Sequence, residues 1–206
     1  MGLIDGVMAS SGWSMEQLDG FAVTRGPGSF TGIRIGMSAI MGLAQAMDRP
    51  VVGISVLEAL AWPLSQSDGP VCALIDARRG EVYAGVYRWV EDEMEILLPE
   101  TVAAPGPIIE KVPEGCLFVG SGAALCRDEI LAVRGAGARF APGFQQRPDA
   151  AVVAWMAQTR LDSHGGDAAD LRPTYLRKSD AQIHRETAVN DPSERVAIQA
   201  SAGDGQ

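Results

Sequence analysis

Apolar positions fall in short runs separated by glycine-rich breaks, and the spacing within the runs alternates between that of strands and that of helices. Residues 2–9 read as the tail of a helix, and Ser14 is placed to cap a short helical turn over residues 15–18. Residues 20–24, around Phe21-Ala22-Val23, read as a strand. A long helix follows over residues 31–47. Between Ile33 and Met47 its one full charge is Arg34, and Ile33, Ile35, Met37, Ile40, Met41, Leu43 and Met47 go round the cylinder rather than along one stripe. A helix apolar all round is expected to be covered on more than one side. At about 15 residues this apolar stretch falls short of the ~20 needed to cross a bilayer. Residues 50–54 form a second buried strand and 56–64 a short helix. That alternation predicts a parallel sheet with right-handed crossovers.

Gln66-Ser67-Asp68-Gly69-Pro70 breaks both patterns and reads as a linker between two lobes. Beyond it, residues 71–75 and 81–87 are predicted strands joined by the turn Asp76-Ala77-Arg78-Arg79-Gly80, a hairpin. Residues 95–98 add a third strand. Residues 107–112 read as helix and 117–119 as strand. Gly120-Ser121-Gly122 turns into a helix running to about Arg134, and residues 150–160 form another. Residues 171–177 are extended. From about residue 188 the sequence is polar and rich in Gly, Ser, Asp and Gln, which predicts a disordered tail.

With 206 residues, 47% of them hydrophobic, the chain can hold one large domain or two lobes with a real core. The net charge of −9 excludes a broad basic footprint for nucleic acid, although an acidic surface still suits a basic partner. Cys72, Cys116 and Cys126 are odd in number and lack CxxC spacing, as expected for buried thiols in a reducing compartment. No secretory signal pattern is visible, so the cytoplasm is the expected location.

The most informative stretch is Arg25-Gly26-Pro27-Gly28-Ser29-Phe30-Thr31-Gly32-Ile33-Arg34-Ile35-Gly36. It predicts a strand, a tight glycine turn and a helix start at which Ser29 and Thr31 can cap free N–H groups. Such a turn suits either anion binding or close approach by another helix. Ser38, Gly42 and Ala46, spaced at i, i+4 and i+8, and the pair Gly32 and Gly36 suit close helix packing. The glycines fit neither the P-loop nor the dinucleotide fingerprint. His164 and His184 lie far from the turn in polar segments, and no residues have metal-ligand spacing. Asp76 and Glu81 flank the hairpin turn, either as paired carboxylates or as solvated residues. Arg78 and Arg79 are an anion grip or a turn tip. Trp13, Trp62, Trp89 and Trp155 read as half-buried packing residues.

The glycine block closely resembles the signature of the TsaB (YeaZ) family. The resemblance continues in Gly42-Leu43-Ala44, Pro50-Val51-Val52-Gly53-Ile54-Ser55, Leu57-Glu58-Ala59-Leu60-Ala61 and Asp76-Ala77-Arg78-Arg79-Gly80-Glu81-Val82-Tyr83. It is weaker in Pro173-Thr174-Tyr175-Leu176-Arg177, and it spans roughly residues 1–180. It implies an α/β fold of the two-lobed actin-like (ASKHA, ribonuclease H-like) type, with lobes over residues 1–65 and 66–187 and a tail over 188–206. Family members open with an apolar strand, an Asp-x-Ser-Thr loop and further strands. This sequence starts inside what should be the first helix, so the first lobe is expected to be incomplete, with an unpaired edge on the strand at 20–24.

By the same resemblance the chain is a non-catalytic subunit in formation of N6-threonylcarbamoyladenosine (t6A) at position 37 of tRNAs reading ANN codons. It pairs with the paralogue TsaD, which transfers the threonylcarbamoyl group, and with the ATPase TsaE. It meets tRNA only through the complex and self-associates when TsaD is absent. No catalytic residue, cofactor or metal is implied. Where TsaD-like proteins carry His-Met-Glu-Gly-His, this sequence has Val56-Leu57-Glu58-Ala59-Leu60. Where they carry a Ser-Gly-Gly-His-Thr phosphate loop, it has Ala77-Arg78-Arg79-Gly80-Glu81. In the family, two helices from each partner form the contact, here residues 2–12 and 31–47. Phe30, Thr31, Arg34, Ile35, Ser38, Ala39 and Met41 are the expected partner-binding residues. The alternatives are a stand-alone ASKHA-type nucleotide-binding enzyme and an M22-type metalloprotease.

Overall fold

The computed structural model describes residues 2–164 and 166–177; His184, the expected tail and the end of the expected second lobe lie outside the described residues. The unit ending at Leu176 is the one described below. In chain order its elements are α1 (Gly2–Ser11), β1 (Phe21–Gly26), α2 (Phe30–Met47), β2 (Val51–Ser55), α3 (Val56–Ala61), β3 (Val71–Arg78), β4 (Glu81–Val90), β5 (Glu93–Ala103), α4 (Pro105–Lys111), β6 (Leu117–Val119), α5 (Ser121–Leu125), α6 (Arg127–Arg134), β7 (Arg139–Phe140) and α7 (Ala150–His164).

β1 and β2 form a parallel two-stranded sheet, in register from Phe21 opposite Val51 to Thr24 opposite Ile54, with α2 as the crossover. Alternate residues leave opposite faces of a strand. Phe21, Val23 and Val51 therefore pack against Ile33, Met37 and Ala44 of α2. Ala22, Val52 and Ile54 pack against Val153, Met156 and Ala157 of α7. A parallel pair buried on both faces reads as a continuous apolar run, which is why both strands were legible.

The second sheet has the order β5-β4-β3-β6-β7, with β3, β4 and β5 antiparallel and β6 and β7 parallel to β3. Cys72, Leu74, Val82, Val86 and Phe118 face Ile108 and Ile109 of α4 and Ile130 of α6. On the opposite face Val71, Ala73, Tyr87 and Val119 meet Leu57 and Leu60 of α3. Ala59 of the same helix packs with Ile54 and α7. α3 is thus wedged between the two sheets. At six residues it is too short to persist by itself. Its cap is Ser55, whose Oγ accepts the N–H groups of Leu57 at 3.1 Å and Glu58 at 3.3 Å.

Several expectations shift in detail. The turn between β3 and β4 closes on Arg79-Gly80 with φ of 55° and 74°, as the two central residues of a type I′ hairpin require, and Arg78 before them is left-handed as well at φ 65°. β5 runs far past the expected 95–98. The helix expected from residue 122 to Arg134 breaks at Cys126, whose backbone adopts φ −94°, ψ 18° while its side chain enters the core. Residues 62–64 leave α3 as a 3-10 turn. All three cysteines are buried and free. Trp62 and Trp89 pack edge to face at 6.1 Å, half-buried as expected, whereas Trp13 and Trp155 are exposed. No helix among the described residues is long and apolar enough to cross a membrane.

Candidate partner-docking face

The turn between β1 and α2 is held from two directions. Gly26 has φ +114°, and a Cβ there would stand 2.8 Å from the Thr174 carbonyl oxygen. Only glycine lets residues 171–175 lie along the turn. Thr174 N–H donates to the Arg25 carbonyl at 2.7 Å, and Arg25 Nη1 donates to Thr174 Oγ1 at 2.8 Å. Ser29 caps α2 by accepting the Gly32 N–H at 3.3 Å.

α2 is buried on one face, not on several. Ile33, Met37 and Ala44 are buried, and Ile40, Met41, Leu43 and Met47 are half-buried against the same cluster. On the outer face Thr31, Arg34, Ile35, Ser38, Ala39, Gly42 and Ala46 are all exposed, Ile35 at 66%. The all-round apolar pattern therefore marks a face that the described chain leaves bare. Thr31, Arg34, Ile35, Ser38 and Ala39 share that face, whereas Met41 turns toward the core and Phe30 is half-buried at the first turn. α1 buries none of its residues, with Leu3 89% exposed.

Tyr175 also belongs to this corner, and the weak run at residues 173–177 was its only trace in the sequence. Its ring lies 4.8 Å from that of Phe30, and its hydroxyl accepts from Arg34 Nε at 2.8 Å. The Arg34 guanidinium sits 3.9 Å from the Phe30 ring centre.

A second polar cluster, missed from sequence, lies where α3 meets both sheets. Glu100 of β5 accepts from Ser55 Oγ and, at 3.2 Å, from the hydroxyl of the fully buried Tyr87. Glu58 of α3 pairs with Arg160 of α7 at 2.5 Å. Asp76 Oδ1 accepts the Arg78 N–H at 2.7 Å, a turn-forming role. Among the described residues, no three His, Cys, Asp or Glu side chains cluster in a way that could hold a metal ion.

Burial raises the Glu100 carboxyl above its usual pKa; the nearby Glu58 adds to the rise, while Ser55, Tyr87 and Arg25 oppose it. Burial and the Glu100 charge likewise push the Tyr87 hydroxyl well up. A carboxyl whose folded pKa is raised binds its proton more tightly in the native state. Its contribution to stability therefore falls as pH rises through the window between the unfolded and folded pKa values. Glu100→Gln, which keeps an oxygen to accept both hydroxyls, is expected to remove that downward slope and to raise the melting temperature at neutral pH. Melting curves across pH 4–8 measure this; an unchanged slope would show that Glu100 is not the group responsible.

A family profile described as "TsaD: tRNA N6-adenosine threonylcarbamoyltransferase" matches residues 1–185. A Bacillus subtilis protein is 31% identical over 170 residues, covering 81% of this chain and 73% of its own length. A Haemophilus influenzae protein is 33% identical over 193 residues, covering 85% and 77%. Both are named tRNA threonylcarbamoyladenosine biosynthesis protein TsaB. The chain belongs to the TsaB family. Two solved structures from Pseudomonas aeruginosa agree. One, described as similar to peptidase YEAZ, has a TM-score of 0.70 at 29% identity and covers 84% of this chain and 81% of its own. The other, YeaZ, has a TM-score of 0.69 at 30% identity and covers 83% and 80%. In this TsaB-family chain, positions 56 and 60 of the α3 segment carry aliphatic side chains packed into the apolar cluster under β3 and β4. The TsaB block at residues 76–83 forms the β3–β4 hairpin, with Arg78 and Arg79 exposed at its tip.

Proposed function

We propose that this chain is a non-catalytic subunit of the machinery that makes t6A at position 37 of tRNAs reading ANN codons. In this reading it pairs with a TsaD-type transferase and works with a TsaE-type ATPase. The observation that carries it is the bare outer face of α2, together with an α1 that has no buried residue. A face of Thr31, Ile35, Ser38, Ala39, Gly42 and Ala46 in an acidic chain suits a closely packed helix better than a polyanion. The match of this chain to a TsaD profile supports the choice of partner. The profile match takes in residues 21–47, so a TsaD-type protein has a segment corresponding to β1, the glycine turn and α2, and two like helices can meet face to face. The relatives' names supply the pathway. The aliphatic residues at 56 and 60, and the arginines in the hairpin turn, support the absence of catalysis here. A second copy of the chain competes for the same face when the paralogue is missing, and tRNA is met only through the complex.

The test is Ser38→Trp. Ser38 is exposed, so an indole there leaves the fold intact while blocking close helix approach. It is expected to weaken binding to a TsaD-type partner by at least about 100-fold, or about 2.7 kcal/mol, measured by titration calorimetry. Unchanged affinity in a variant with the parent's melting temperature would move the docking surface elsewhere.

A further inference from the structure

Arg34 is the one charge on the exposed face of α2, and it is not loose. Phe30 lies under its guanidinium at 3.9 Å, the Tyr175 ring flanks it at 5.6 Å, and the Tyr175 hydroxyl accepts its Nε–H at 2.8 Å. Three contacts from two segments 141 residues apart fix a side chain that otherwise samples many rotamers. They use Nε and one flat face of the group. Nη1 and Nη2 make no hydrogen bond among the described residues, and Arg34 is exposed. This is a planar donor fork fixed in advance, the geometry that grips a carboxylate with two parallel bonds.

When a partner covers this face, the guanidinium leaves water among Thr31, Ile35 and Ser38. An unpaired charge buried there would cost more than the surrounding packing returns. A helix that docks here must therefore bring an anion to that point, and a helix without one is rejected. A lone charge in an apolar seam also fixes register, since sliding by one turn separates the pair. A phosphate could satisfy the same fork. The small-residue surface around it and the net charge of −9 favour a protein side chain over a nucleic-acid backbone.

We propose that Arg34, held by Phe30 and Tyr175, receives an Asp or Glu side chain from the docked partner helix and so selects the partner and sets its register. Tyr175 is then a positioning residue, acting through Arg34. The proposal rests on the docking reading given above.

The test uses the full chain with a TsaD-type partner, with affinity measured at low and high salt. Arg34→Gln is expected to lose about 30-fold and to flatten the salt dependence. Arg34→Lys, which keeps the charge but loses the fork, is expected to lose about tenfold. Tyr175→Phe should cost about threefold alone and nothing further on top of Arg34→Gln, because the hydroxyl acts only through the guanidinium. An additive Tyr175 effect would overturn its positioning role. If Arg34→Gln binds within twofold of the parent while Ser38→Trp abolishes binding, the carboxylate proposal fails and the docking face stands. If Ser38→Trp also binds normally, the docking face itself is wrong. Loss of self-association rather than partner binding in Arg34→Gln would place the acid on a second copy, where Asp5 is the one acidic residue of α1 and α2, and would overturn selection of a different partner.

Discussion

Gly120→Ala is expected to destabilise the protein by about 4 kcal/mol and to lower its melting temperature by roughly 8–16 °C, at 2–4 °C per kcal/mol for a chain of this size. Gly120 joins β6 to α5 with φ +99° and ψ 169°, a backbone region that is essentially closed to other residues. A Cβ there would stand 2.2 Å from the Leu74 carbonyl oxygen and 3.2 Å from Leu60 Cδ1. Leu74 is in β3, at the middle of the sheet, and Leu60 is fully packed, so neither has room to retreat. The cost combines backbone strain with a clash against main chain. Gly115→Ala is the control. Gly115 also has positive φ, +71°, but a Cβ there would meet no atom within 4 Å, so only about 1 kcal/mol is expected. Urea unfolding of both variants measures the excess loss at Gly120 over an unhindered glycine of positive φ. Equal losses would mean that the backbone at Gly120 and its contact with Leu74 both relax.

The sequence made the local part of this structure readable. β1 and β2 were legible as short apolar runs and α2 as a long stretch with a single charge, each opened by glycine, serine or proline. The hairpin of β3 and β4 was legible because Arg79-Gly80 sits between two β-rich runs. The break at Cys126 was not, since no glycine or proline marks it and the core sets the bend. The one-sided burial of α2 could not be read either. Periodicity reports which faces are apolar, and it is silent on whether a face is covered by the same chain or left open. The pairings that organise the candidate site were hidden for a different reason. Arg34 with Tyr175, Ser55 with Glu100 and Glu58 with Arg160 join residues 141, 45 and 102 positions apart, and no local pattern links them. Glu100 also fell outside the strand expected at 95–98.

Arg160→Met is expected to cost about 3 kcal/mol, and Glu58→Gln only about 1, although both break the same ion pair. The asymmetry follows from where each group is left. Glu58 lies on α3 between the two sheets, with its side chain 12% exposed and close enough to Glu100 to help raise that carboxyl's pKa. Without Arg160 it would be a buried charge with its main counter-ion gone, and the Arg160 hydrogen bond to the Gly53 carbonyl would go too. Arg160, at 35% exposure, can turn its guanidinium into water once Glu58 is neutral. The double variant should therefore be little worse than Glu58→Gln alone, giving a coupling of about 2 kcal/mol in a double-mutant cycle. Additive losses would show that Arg160 matters only as packing against β2. The stake is the position of α3, since a six-residue helix keeps its place between the sheets only while Leu57, Leu60 and this ion pair hold it from opposite sides.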